Sequence, residues 1–186
     1  DKRFRYLRPP NNIGLSGARN FGFSKAMGRY IRHVDADDWL DDNALAIEVD
    51  GLDTDPLAHI VYGHLEVVNS DGSRNMTKSG EPVRGDWPPE NFNWMHQMAH
   101  LNQLPSCVMA RREVFSQSGG YRTRMKRNED AEFWCRVTSL GFNAVKLSQA
   151  ITYYHRNIET SKGAMEWKIE GGEPDWTAWF PWRIGS

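Results

Sequence analysis

The chain has 186 residues, the size of one domain, and its 39% hydrophobic and 25% charged residues supply a core and exclude an intrinsically disordered chain. No apolar run approaches the roughly 18 residues of a membrane span, and Asp1 to Pro10 is basic without the apolar stretch of a secretory signal. The net charge of −1 is a sum of blocks: Asp1 to Val34 holds eight Lys/Arg against one acid, and Asp35 to Asp55 holds nine acids and no Lys/Arg.

In chain order, Phe4 to Leu7 alternates like a short strand that stops at Pro9-Pro10. Ser16 is the expected N-cap of a helix whose face is Ala18, Phe21, Lys25 and Ala26, ended by Gly28. Tyr30 to Val34 reads as a strand, and Asp41 or Asp42 as the cap of a helix carrying Leu45, Ile47, Val49 and Leu52, closed by Gly51 or by the loop to Pro56. A strand over Ala58 to Val68 leads to Asp71-Gly72, a tight-turn signal that predicts a hairpin. Ser79 to Asn93 reads as a loop, Trp94 to Leu101 as a short helix, Pro105 to Arg111 as a strand and Glu113 to Ser118 as a helix stopped by Gly119-Gly120. Glu129 to Leu140 is the clearest amphipathic helix, with Phe133, Val137 and Leu140 on one face and Gly141 after it, and Ala144 to Leu147 returns as a strand. Cys107 and Cys135 form neither a disulfide framework nor a close-spaced metal or redox motif, so both are expected as buried thiols in a reducing, cytoplasmic setting.

Asp35-Ala36-Asp37-Asp38 follows a hydrophobic strand, the edge of an α/β sheet where ligands collect. Two carboxylates at i and i+2 leaving a strand can turn toward one site, and hard cations such as Mg²⁺ or Mn²⁺ take carboxylate oxygens while leaving positions for phosphate. A D-x-D pair alone is equally a helix cap with surface charge. The neighbouring basic block suits an anion held beside that cation, or else the blocks are solvated faces of unrelated elements. With a pI of about 6.7 and no basic stripe, nucleic-acid binding is not expected.

The flanks narrow this. Asn12, Gly14 to Gly22 and Gly28 to Ile31, followed by Asp35 to Leu40, resemble the family-two glycosyltransferases of the GT-A fold. Ser118-Gly119-Gly120-Tyr121 with Asn128-Glu129-Asp130 through Arg136 is similar to that family's "GGF … ED … R" acceptor segment, and Tyr153 to Arg156 with Ser161 to its closing region. The resemblance implies a partial GT-A, Rossmann-like α/β domain over 1–161, a mixed sheet flanked by helices, with a Trp-rich extension over 162–186. It further implies inverting, metal-dependent transfer of a sugar from a nucleotide-diphosphate donor to a saccharide or lipid-linked acceptor, in polysaccharide biosynthesis at the cytoplasmic face of a membrane. By the same resemblance Asp37, with His155 as a further candidate, would hold Mn²⁺ or Mg²⁺; Asp35 and Arg19 would face the donor ribose and diphosphate. Asp130 would be the general base, with Glu129 and Trp134 contacting the acceptor. Acids in a helix's first turn also complement its positive end, Arg19 could equally form a surface or structural salt bridge, His155 near a strand end could be structural, and Trp134 could equally be a core aromatic.

The family's opening strands, which supply the nucleotide-base pocket, have no counterpart before Asp1. A chain lacking them would be impaired in donor binding and would expose a sheet edge able to pair with a second copy. A glycan-binding or partner-binding remnant of the fold and, less favoured, a nucleotidyltransferase are the other readings. His96 and His100, at i and i+4, lack a third zinc ligand, and Trp176, Trp179 and Trp182 suit packing or a partner contact.

Overall fold

The computed structural model describes residues 2–69, 71–80, 82, 84–85, 108–125 and 129–155. The helix expected over Trp94 to Leu101, Cys107, the histidine pair and the 162–186 extension with Trp176, Trp179 and Trp182 lie outside them. The described elements belong to one unit, Asp1–His155, in the order α1 (Gly14–Lys25), β1 (Tyr30–Arg32), β2 (Trp39–Leu40), α2 (Ala44–Thr54), β3 (Ile60–Val68), β4 (Arg84–Gly85), β5 (Val108–Arg111), α3 (Arg112–Ser118), α4 (Glu129–Ser139) and β6 (Ala144–His155).

The sheet runs β1-β5-β3-β6-β2, with β4 also against β3. It is mixed: β3 and β6 are parallel, and the other pairs are antiparallel. The β3–β6 register shifts between Tyr62 and His64, so that Tyr62 faces Lys146 and His64 faces Ile151. The expected hairpin after Val68 forms: Asn69 and Ser73 close the Asp71-Gly72 turn, and Arg74 bridges back to Val68.

Strand alternation divides the core into two layers. Ile31, Ile60, Tyr62, Val108 and Ala110 meet α3 and α4 through Val114, Phe115, Phe133, Trp134 and Val137, with Phe23 and Ala26 of α1 against them. Their neighbours Val61 and Met109 pack on Leu52 and Val49 of α2. Arg111 and Arg112, at the β5–α3 junction, then close both helical layers. Arg111 donates to the Leu52 carbonyl in the last turn of α2 and to the Asp55 carbonyl after it, and Arg112 to the Ala26 and Gly28 carbonyls after α1, which satisfies one carbonyl that the end of α2 leaves orphaned and ties down the chain leaving both helices.

Several expectations need correction. Phe4 to Leu7 forms no strand; with no partner strand in the described sheet, its Phe4 is 80% exposed. Ser16 is no cap: α1 begins at Gly14, whose N–H is taken by Asn12 Oδ1 at 2.9 Å, and Ser16 is buried inside the helix. The packed face of α1 runs through Ser16, Gly17 and Phe23 rather than Ala18 and Lys25. Gly51 does not end α2 but lies within it, where a Cβ would come 2.8 Å from Leu147 Cδ1. Leu45 and Leu140 are exposed. The strand expected over Ala144 to Leu147 continues to His155. No helix among the described residues is long and apolar enough to cross a membrane. Cys135 is buried and unpaired, and burial pushes its thiol up to about 12.

Candidate active site

The site lies where β1 ends. Arg32, the last residue of β1, donates through Nε to Glu48 Oε2 of α2 at 2.9 Å and through Nη2 to Thr152 Oγ1 of β6 at 2.8 Å, while Nη1 reaches the His33 carbonyl at 2.8 Å. Glu48 is 1% exposed, and burial raises its carboxyl against the opposing pull of Arg32. A buried ion pair thus anchors the strand immediately before the acidic turn.

That turn closes with the Asp38 N–H on the Asp35 carbonyl at 3.1 Å, leaves Asp37 exposed and runs into β2. Because β2 pairs with β6 at Trp39 and Tyr153, the turn adjoins the end of β6, two residues before His155. Among the described residues no three His, Cys, Asp or Glu side chains form a cation cage. Asp37 still fits a hard cation, since such ions are commonly held by one or two carboxylates together with substrate phosphate oxygens.

Asp35 is tied down differently. His33 Nε2 lies 3.4 Å and Arg19 Nη2 3.3 Å from Asp35 Oδ1. The His33 imidazole first, and the Arg19 guanidinium with it, hold this carboxyl at about 2 against the effect of partial burial. Arg19 Nη1 donates to Glu129 Oε1 at 2.7 Å, and both side chains are only 10% exposed. Both terminal nitrogens of Arg19 are therefore occupied by acids, the salt-bridge alternative to a contact with the donor. The same guanidinium lies over the Tyr121 ring, 5.2 Å from its centroid.

Asn20, next on α1, clamps the loop that carries Tyr121. Its Nδ2 donates to the Tyr121 carbonyl and its Oδ1 accepts the Tyr121 N–H, both at 2.7 Å. Gly120 has a φ of +72°, and a Cβ there would meet Asn20 Oδ1 at 2.6 Å, so the second glycine is a steric requirement. Arg136 holds the other side. It pairs with Glu132 through Nε at 2.8 Å and Nη2 at 3.0 Å, and also donates to the carbonyls of Ser118 and of Gly120, the latter at 2.7 Å. Glu132 and Arg136 thus position the Gly119-Gly120 loop against α4.

Asp130 opens α4 beside Glu129, its Oδ1 accepting the Ala131 N–H at 2.8 Å. Burial first, and the adjacent Glu129 charge second, raise its carboxyl to about 6. Trp134 is corrected: it is 2% exposed and packs edge-on against Phe115 and Phe133, so its indole is core and offers no face to a sugar.

The structure brings together Arg19, Asp35, Glu129 and Asp130 and separates Trp134 from them. His33 was missed, and so were the Asn20 clamp and the Glu132–Arg136 tie. The i, i+4 spacing of Glu132 and Arg136 could have signalled the last.

Three comparisons bear on this geometry. The model for glycosyl transferase family 2 matches residues 1–119, a span that includes Arg19, Asp35 and Asp37 and ends before α4. The uncharacterized protein y4gI of Sinorhizobium fredii (strain NBRC 101917 / NGR234) is 27% identical over 136 residues, 73% of this chain and 14% of that protein. Among solved structures, GalNAc-T7 with UDP, GalNAc and Mn²⁺ superposes with a TM-score of 0.57 at 18% identity, covering 81% of this chain and 32% of its own. TarS 1–349 of S. aureus in complex with UDP-GlcNAc gives 0.58 at 18% identity, covering 79% and 40%. The chain thus spans well under half the length of each, and the likeness establishes a GT-A glycosyltransferase fold.

Proposed function

The chain belongs to glycosyl transferase family 2, and from that premise we propose that it forms the diphosphate and acceptor part of an inverting glycosyltransferase. The reaction moves a sugar from a nucleotide diphosphate to an acceptor hydroxyl with a divalent cation, Mn²⁺ or Mg²⁺. The observation that carries this reading is the meeting of Asp35 and Glu129 on the single guanidinium of Arg19, which joins the acidic turn after β1 to the start of α4.

Asp37, exposed in the turn, would hold the cation, with His155 at the end of β6 as a second candidate. When bound, the cation would offset the charge that builds on the departing diphosphate. Local charge supports this assignment: Arg19 between Asp35 and Glu129 leaves the cluster negative, which would repel a diphosphate without a cation beside it. Asp35 stays ionised throughout the physiological range and is suited to accept hydrogen bonds from the donor ribose, with Arg19 fixing its orientation.

Asp130 is the base. A carboxyl raised to about 6 can take the acceptor's proton near neutral pH as that oxygen attacks the anomeric carbon, and Glu129, committed to Arg19, is left to orient the acceptor. GalNAc-T7 and TarS were solved with UDP or a UDP-sugar, which makes a uridine diphosphate donor the first choice. Joined to the family's opening strands, which supply the nucleotide-base pocket, and incubated with UDP-GlcNAc or UDP-GalNAc, Mn²⁺ and saccharide acceptors, the protein should release UDP. Asp130→Asn should abolish release with UDP binding retained; an active Asp130→Asn variant would place the base elsewhere.

A further inference from the structure

We propose that Ser16 Oγ, Arg19 Nε and Tyr121 OH enclose one bound water beneath the Arg19 bridge, which makes Ser16 and Tyr121 positioning residues for that guanidinium. All three atoms are buried, and none has a hydrogen-bond partner among the described residues. Buried polar groups in folded proteins are almost always paired with protein or ordered water, so three orphans carried by residues of one helix and the ring beneath it point to a shared ligand.

Their adjacency follows from the packing. Ser16 and Arg19 are three residues apart on α1, which sets neighbouring side chains about 5–6 Å apart at Cβ. The Arg19 guanidinium lies over the Tyr121 ring, and that ring is stacked on Phe133 at 4.2 Å and Phe23 at 5.8 Å. The donor inventory then selects the ligand. Arg19 Nε only donates, whereas both hydroxyls donate and accept. A water can accept from Arg19 Nε and Tyr121 OH and donate to Ser16 Oγ. An anion is disfavoured, because Asp35, Glu129 and Asp130 all act on the Tyr121 hydroxyl and already outnumber Arg19.

The consequence concerns Arg19. Its two terminal nitrogens serve Glu129 and Asp35; holding Nε as well fixes the plane in which both are aimed. The hydroxyl is a feature of this chain, since the family pattern it resembles has phenylalanine after the glycine pair. The inference needs nothing of the transfer reaction and would stand if the chain transferred no sugar.

A crystal structure of the protein at a resolution that locates waters should show one within hydrogen-bond distance of all three atoms. No water there, or Tyr121 OH bonded directly to a protein atom, would overturn the proposal. In solution, Ser16→Ala and Tyr121→Phe, the latter keeping the ring, should each lower Tm by about 3 °C, and the double variant by little more than either, because the first loss already empties the site. Single variants as stable as the parent, or a double loss equal to the sum, would contradict it.

Discussion

Arg19 Nη1 lies 2.7 Å from Glu129 Oε1, joining α1 to α4 across 110 positions of sequence. Neither side chain is more than 10% exposed, and the other terminal nitrogen of the same guanidinium holds Asp35. One cation thereby fixes the spacing between the acidic turn and the start of α4, a task suited to a planar fork with divergent donors.

Arg19→Met should therefore leave Glu129 charged and unpaired in a nearly closed site and cost about 3 kcal/mol, measured by urea unfolding. Combining it with Glu129→Gln should recover most of that loss. A double variant as unstable as Arg19→Met alone would assign the effect to lost packing on Tyr121.

At Gly120 the expected penalty is steric and conformational together. Gly120→Ala forces a side chain into a left-handed backbone 2.6 Å from Asn20 Oδ1 and should cost about 2 kcal/mol. Gly119→Ala has a similar φ of +78° but nothing within 4 Å of the added carbon, and should cost less. Equal losses in thermal unfolding would show that the Asn20 clamp moves aside freely.

These cases mark what the sequence could disclose. The strand ends at Val68 and Arg111, the glycine stops at Gly119 and Gly141, and the acidic turn after β1 were legible because local chemistry determines them. Partners were not. Glu48 is buried on α2 against Arg32, and a buried acid on an amphipathic helix reads as solvent-facing until its partner is known. Ser16 imitated a cap because its side chain suits one, whereas Asn12 had already taken the first N–H. Phe4 to Leu7 alternated as a strand does, but a strand also needs a neighbour. Trp134 lay on the α4 face that the spacing of Phe133 and Val137 assigns to the core, and the core claimed it.

Asp130 carries a pH signature. Its folded carboxyl is raised to about 6 from an unfolded value near 3.8, so between those values the folded protein keeps a proton that the unfolded chain has released. Stability should then fall as pH climbs from about 4 to about 6 and level off above, by on the order of 2–3 kcal/mol from this group. Asp130→Asn should flatten that slope, leaving the part that the raised Glu48 carboxyl contributes, and stabilise the protein at pH 7. An unchanged slope across pH 4–6 would show that Asp130 is not the group responsible.

The Arg32–Glu48 pair should behave asymmetrically. Glu48→Gln leaves Arg32 without its counter-charge and should destabilise by about 3 kcal/mol, while Arg32→Met with Glu48→Leu removes both charges and should cost much less. Comparable losses in chemical denaturation would mean that the bond from Arg32 to Thr152 dominates.

Thermal unfolding with Mn²⁺, with UDP and with both together tests the central claim, that Asp37 and its neighbours hold a cation–diphosphate pair. The account predicts a rise in Tm with both that exceeds the sum of the separate shifts and is lost in Asp37→Ala, because only the pair engages the site. No excess rise, or the same rise in Asp37→Ala, would contradict it.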